Sequence, residues 1–555
     1  KEAFAYFAAA IFGMFSFALG AFRIRRDLFH EELVWKSAIG LGVVFACAFV
    51  AAGVSAFLAR LLRRLMARPA FERLAHATTG FAVLVVLGIG LAGTLAFGSG
   101  GADGTAGDGA TEEPGAAGNV LFIVIDTLRA DHLPAYGYES GSTPSLDRFA
   151  DDAVLFDQAF TNSSWTRPSF ASILTGRLPS SHGVMAKSDA LPDAVTTLPE
   201  ALKPVGYSTG GFATNFNVAP YFNFHQGFDD YVFLEPEFVL GADDASAKLL
   251  LMQFVRQRIE KLRAASGDVL PGTAYQDAAT VNAAVTGWID RQSAAPWFLF
   301  VGYMDPHDPY FAHPYDGSGY ARAAHQHPDP SEAPALTKLY DGEITYWDAE
   351  FGKLIDALKE RGLYDELTIV VTADHGEEFN DHGGFWHGTT LYDEQVRVPL
   401  VVKLPQARRG GTVVRHWVQS IDLMPTVLAE LDVEVPDGVQ GGNLFTGTDV
   451  VYAEESHEGN VLESVRHLDG TDEHKLITAN PDNPRGLRAV ELYRVDLDPG
   501  ERENLAGSTP DQVRLTTKAL LQQRARANED AVAADSVALD DDVAAHLEAI
   551  GYMER

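Results

Sequence analysis

The sequence predicts an α/β fold built on a central, mostly parallel sheet, and three observations predict it. Short β-branched and aromatic runs recur at Asn119–Ile125, Trp297–Tyr303 and Leu367–Val371, the pattern of strands buried on both faces. Between the last two lies Leu339–Gly362, a stretch of helical spacing with Trp347, Phe351, Leu354, Ile355 and Leu358 on roughly one face. Strands alternating with helices give a sheet covered on both sides. Finally, two of the runs lead almost directly into a carboxylate, Asp126 and Asp374, as ligands are presented at the carboxyl edge of a parallel sheet.

The chain before this sheet is of another kind. Ala3–Phe22 and Ser37–Ala59 carry no charge, and Phe81–Phe97 is a third apolar run. Spans near the ~20 residues needed to cross a bilayer predict three transmembrane helices within residues 1–97, and three in succession argue against a cleaved signal peptide. The sequence opens on Lys1 rather than Met, in keeping with further residues upstream. Between the second and third spans lie Arg60, Arg63, Arg64, Arg68 and Arg73 with a single acid. That loop is expected in the cytoplasm, which sends the third span outward and makes this a multi-pass protein of the cell membrane with an extracytoplasmic domain. Residues 98–118 have the Gly-rich composition of a flexible linker, and residues 119–555 form the soluble domain, with a C-terminal subdomain expected from about 405.

Residues 119–555 hold 33 Lys+Arg against 67 Asp+Glu, a net charge of −34. Such a domain repels a phosphate backbone, so nucleic acid is not an expected partner. The single cysteine, Cys47, lies in the second span, which leaves the soluble domain without disulfides or a thiol nucleophile.

Taken in order, the first buried run ends at Asp126. A carboxylate there either caps a following helix or shares an ion with the one at Asp374. Next, Ser163–Val184 contains Pro168 where a first helical turn tolerates it, apolar Phe170–Leu174, and Gly176 to end the helix. Thr166 therefore stands at a helix N-terminus, either as a simple cap or where the unpaired N–H groups favour an anion. Trp297–Tyr303 leads into Asp305-Pro306-His307-Asp308-Pro309, in which a histidine flanked by prolines is held in place, for structure or for catalysis. Val398–Val402 is a further short strand with Pro399 at its start. The stretch Val370–Leu391 carries Asp374, His375, His382 and His387, a mixed oxygen and nitrogen donor set suited to zinc or manganese, with calcium less suited because of the imidazole.

With these residues assembled, the chain from about Asn119 onward resembles the sulfatase branch of the alkaline phosphatase superfamily. The resemblance rests on N-V-L-F-I-V-I-D-T-L-R-A-D-H-L, P-S-F-A-S-I-L-T-G-R-L-P, D-H-G-E-E-F-N-D-H-G, L-Y-D-E-Q-V-R-V-P-L and S-I-D-L-M-P-T-V-L, in that order. It implies an alkaline-phosphatase-like sandwich preceded here by the transmembrane helices. The departures bear on the chemistry. Where sulfatases carry a Cys or Ser that is oxidised to formylglycine, this chain has Thr166, whose carbinol carbon would give a ketone, so no formylglycine is expected. Phe170 occupies the slot of an arginine, Thr214 and Phe216 the slots of a lysine and a histidine that grip sulfate, and Thr127 that of a second aspartate.

Threonine-nucleophile members of the superfamily imply Asp126, Thr166, Asp374 and His375 around a divalent ion, with His307 and His387 either as proton donors to the leaving group, near their ordinary pKa of about 6.5, or as ligands for a second ion. Asn215 is a candidate hydrogen-bond donor to a phosphoryl oxygen, or a turn residue; His182 and His382 are structural or supporting. The expected function is a membrane-anchored hydrolase or transferase that cleaves a phosphoester or phosphodiester, its substrate a small molecule, a lipid head group or a glycan ester at the bilayer surface. The alternatives are a sulfate ester hydrolase and an inactive, membrane-tethered binding module.

Overall fold

The apolar run beginning at Asn119 forms β1 (Val120–Ile125), and every one of its side chains is buried. In the computed structural model, residues 118–236, 275–292, 296–317, 319–322 and 325–536 are described, with isolated residues at 56 and 60. The three apolar runs expected to span a membrane, and residues 98–117 of the linker, lie outside the described residues apart from those two. Among the described residues no helix is long and apolar enough to cross a membrane. The chain divides into units Lys1–Glu113 and Pro114–Arg555, and the architecture below is that of the second.

The elements that position the site are β1, β2 (Val154–Phe156), α1 (Thr166–Thr175), β3 (Ser208–Ala213), β4 (Asp230–Phe233), α2 (Ala278–Arg291), β5 (Trp297–Tyr303), α3 (Ala333–Glu360), β6 (Thr368–Ala373), β7 (Leu400–Lys403) and β8 (Thr412–Val414). They build an eight-stranded sheet in the order β8-β2-β7-β6-β1-β5-β3-β4. The run from β6 through β1, β5 and β3 to β4 is parallel, and β7 is antiparallel to both its neighbours. The sheet is therefore mixed but mostly parallel. Strands buried on both faces need apolar residues at every position, which is why β1, β5 and β6 read as continuous runs.

Helix α3 packs Leu336, Tyr340, Ile344, Trp347, Phe351, Leu354 and Leu358 on the sheet, and Trp347 is fully buried. At roughly 1.5–3 kcal/mol for each large apolar side chain taken from water, this face secures the layer. Helix α1 differs: all ten of its residues are buried, and it ends at Gly176 with φ of 62°, a left-handed cap that glycine adopts without penalty.

The expected strand Val398–Val402 is broken at Pro399. Arg397–Val398 pairs with Ala159–Phe160, whereas β7 pairs with β6. A residue without an N–H marks the change of partner. Beyond it, β8 still pairs with β2 in the large sheet, and a separate antiparallel sheet begins at Val450. That sheet comprises β9 (Val450–His457), β10 (Asn460–Asp469), β11 (Asp472–Ala479) and β12 (Val490–Arg494), with α4 (Pro510–Ala527) packed on it.

Candidate active site and metal centre

Four neighbouring strands deliver the site. Ile125 of β1 is in register with Ala373 of β6 on one side and Tyr303 of β5 on the other, so Asp126 and Asp374 follow their strands side by side. His307 comes four residues past the end of β5, and Asn215 two residues past β3. Thr166 opens α1, whose first turn faces this edge. Parallel strands ending together bring residues far apart in sequence into one place.

Each carboxylate has one oxygen engaged and one bare. Asp126 Oδ2 accepts from Asn215 Nδ2 at 2.5 Å, and Asp374 Oδ1 accepts from the backbone N–H groups of Thr127 and His375 at 3.2 and 2.8 Å. Among the described residues neither Asp126 Oδ1 nor Asp374 Oδ2 has a hydrogen-bond partner, and both are buried. His375 Nε2 lies 3.6 Å from the first and 3.3 Å from the second. The other ring nitrogen, Nδ1, is 2.9 Å from the Gly376 carbonyl, which fixes the proton there and turns the Nε2 lone pair toward the two bare oxygens. Three buried acceptors facing one another fit a cation, and Asp126, Asp374 and His375 are the cluster among the described residues that could hold one.

Burial pushes Asp126 up to about 8, and burial together with the charge of Asp126 raises Asp374 well above the carboxylate range. Thr166 Oγ1 sits 3.4 Å from His375 Nε2 and 3.5 Å from Asn215 Nδ2. Asn215 is also a turn residue, its Oδ1 accepting from Asn217 N at 2.8 Å, so both readings of it hold.

His307 and His387 come together, with ring centroids 5.1 Å apart, and His387 lies 4.5 Å from the His375 ring. The expectation that they titrate near their ordinary value is corrected: burial pushes His307 down to about 3 and holds His387 well below the usual range. Both are neutral at pH 7. His387 Nδ1 is 3.0 Å from Glu377 Oε1, and Tyr310 donates to Glu377 Oε2 at 2.8 Å. Glu377, although inside the D-H-G-E segment, was not singled out by spacing.

The remaining histidines take supporting places. His182 Nε2 lies 3.1 Å from Ser172 Oγ of α1, and its Nδ1 accepts from Val184 N at 3.1 Å. His382 pairs with Glu394 at 2.7 Å and stacks on Tyr392. Phe170 is a core residue, its ring 5.8 Å from that of Phe300, so an arginine there would be buried without a partner.

Comparison with known proteins agrees with this fold. A family model described as sulfatase matches residues 118–433, and one described as N-sulphoglucosamine sulphohydrolase, C-terminal, matches residues 381–528. The multifunctional alkaline phosphatase superfamily protein PehA of Trinickia caryophylli is 27% identical over 396 residues, covering 59% of this chain and 76% of its own. An arylsulfatase of Clostridium perfringens is 24% identical over 447 residues, covering 70% and 90%. Among solved structures, the phosphonate monoester hydrolase of Agrobacterium radiobacter superposes with a TM-score of 0.57 at 22% identity, over 74% of this chain and 96% of that one, a likeness of fold.

Proposed function

The chain belongs to the sulfatase family of hydrolases, and from that premise we propose that it cleaves a phosphoester or phosphodiester with Thr166 as nucleophile. The observation that carries this reading is the position of Thr166. Its hydroxyl lies on the His375 side of the three-acceptor cluster, at the first turn of a fully buried helix, and a threonine cannot be converted to formylglycine.

Asp126, Asp374 and His375, with Thr166, would hold a divalent ion, zinc or manganese by the donor set. When bound, such an ion lowers the pKa of a nearby hydroxyl and offsets charge on the transferring group. The rest is the work of this chain's own residues. The Thr166 oxygen attacks phosphorus as the bond to the leaving alkoxide breaks, and water or an acceptor alcohol then releases the phosphoryl group. Asn215 holds Asp126 and reaches toward the hydroxyl. The Thr166 proton leaves to water, while His387, with Nδ1 committed to Glu377, takes a proton from water at Nε2 and gives it to the leaving oxygen, Glu377 stabilising the transient imidazolium. The opposed pair His307 then acts as the neighbouring polar contact rather than as a charged acid.

A sulfate ester remains the second reading, supported by the arylsulfatase among the relatives. Against it stand Phe170, Thr214 and Phe216 in the slots of the sulfate-gripping residues. The inactive binding module accounts poorly for two bare buried carboxylate oxygens, which cost stability unless something is bound. We further propose that residues 1–97 anchor the domain in the membrane with the site outside the cytoplasm, so that the substrate is an ester near the bilayer surface.

The test compares an aryl phosphodiester, an aryl phosphomonoester and an aryl sulfate as substrates of the wild type and of Thr166→Ala, with metal content determined on the same samples. Turnover of a phosphoester well above the sulfate, and its loss by roughly a thousandfold or more in the variant, is expected. Preference for the sulfate would sink the reading.

A further inference from the structure

Outside the cluster just described, a second group of charged side chains converges from three separate parts of the chain. Lys187 lies in the loop between the helical turn Pro179–His182 and the short strand Asp189–Ala190, Arg322 follows the short strand Gly319–Tyr320, and Glu458 occupies the two-residue turn between β9 and β10. Lys187 Nζ is 2.8 Å from Glu458 Oε1, Arg322 Nη2 is 3.5 Å from Glu458 Oε2, and His457 Nε2 is 3.4 Å from Glu458 Oε1.

This group is tied to the nucleophile through single contacts. Arg167, next to Thr166, bonds the backbone carbonyl of Lys187 at 2.5 Å and stacks 3.5 Å above the Phe222 ring. Trp165, on the other side of Thr166, lies 4.5 Å from the His457 ring. A Cβ added at Gly388, beside His387, would come 2.9 Å from that same ring. The Lys187 loop and His457 thus border the nucleophile turn, His457 also borders Gly388 beside His387, and Arg322 joins them through Glu458.

From this arrangement we propose that Lys187 and Arg322 form a second anion-binding subsite, so that the substrate carries a negative group on its alcohol side besides the ester that is cleaved. The inference rests on the esterase reading above and names its substrate class. Lys187 and Arg322 converge on the single partly exposed carboxylate of Glu458, with the buried Asp308 and Glu377 as further acids near Arg322, so the solvent-facing balance of the cluster is positive in a domain whose net charge is −34. A local field of opposite sign in such a domain concentrates anions at that point.

An ordinary staple between layers would not have this form. The side chains of Lys187 and Glu458 are 32% and 25% exposed, and pairs so open to water contribute at most about 1 kcal/mol to stability. Glu458 also holds φ at 51°, a left-handed conformation that Asn, Asp or Gly adopts more readily in a two-residue hairpin turn. A glutamate kept there places its carboxylate between the two cations, where an incoming anion displaces it or shares them.

The experiment uses the full chain and two substrates, an aryl phosphodiester and its ring-carboxylated counterpart. The carboxylate also alters the leaving group, so the readout is the change among variants in the ratio of kcat/KM for the charged ester to that for the neutral one. This ratio falls about fivefold in Lys187→Gln and further when Arg322→Gln is added, and it rises in Glu458→Gln, whose opposite sign separates recognition from loss of folding. A ratio unchanged within twofold across all three overturns the subsite while leaving the esterase reading intact. Absence of turnover of either ester by the wild type overturns the esterase reading and the subsite with it.

Discussion

At single residues the buried imidazoles carry consequences that can be worked out with their sign. His182 sits under α1, and burial, with the charge of Arg177 adding to it, pushes its pKa down to about 3, against about 6.5 in an unfolded chain. The folded value is the lower one, so between about pH 6.5 and pH 3 the unfolded chain binds a proton that the native chain does not. Its contribution is complete above pH 6.5 and is lost as pH falls through that window, by up to about 3 kcal/mol at pH 4. Urea midpoints of the wild type and His182→Asn at pH 7 and pH 4 are therefore expected to converge on acidification. Parallel decline of the two would show that His182 does not drive the acid limb. At this scale the sequence exposed Asp126, Thr166, Asp374 and His375, because each is set against a buried run or a helix start. Lys187, Arg322, His457 and Glu458 have no such setting, since only the folded chain brings three loops together.

Among elements, the loop after β6 shows how a motif is fixed by close approach. A Cβ at Gly376 would lie 2.1 Å from the Glu394 carbonyl oxygen, a backbone atom that cannot swing aside. Gly376→Ala is expected to cost roughly 1–3 kcal/mol and, by displacing His375, to lower the metal content of the purified protein. Thermal denaturation and metal analysis of the same sample check both; a variant with wild-type Tm and metal content would contradict the packing argument. Strands β1, β5 and β6 were legible to within two residues because both faces are buried. Helix α3 begins at Ala333, six residues before the spacing indicated, because Ala333–Ala335 stay partly or fully exposed and Leu336 alone of its first turn is buried; Asp329 and Glu332 form a capping box just before it. The change of partner at Pro399 was visible only as a proline.

Across the whole molecule, the second sheet is the part least visible in the sequence. It is fastened to the L-Y-D-E-Q-V-R segment by buried charges as well as by the apolar contacts of Leu391, Tyr392 and Val396: Asp393 lies 2.5 Å from Arg466 and 2.7 Å from Lys475, and Lys475 lies 2.8 Å from Glu501. Burial opposes ionisation of Asp393, yet Arg466 and Lys475 hold it well below the carboxylate range. Buried charges are rare enough that a sequence reading assigns Arg466, Lys475 and Glu501 to solvent, which conceals both the interface and the reason β9 and β10 carry Glu458 toward the site. The apolar spans before the domain, by contrast, are plain in composition, and their length alone raises the expectation of a membrane anchor.

The central claim is that Thr166 takes the phosphoryl group, and the most direct measurement is to quench the wild-type chain in acid during turnover of an aryl phosphodiester and map the phosphorylated residue by mass spectrometry. The account predicts Thr166 esterified by the phosphate with its remaining ester group still attached in the wild type, and neither this adduct nor multiple turnovers in Thr166→Ala. Phosphate mapped to another residue, or sustained turnover by the variant, would contradict it.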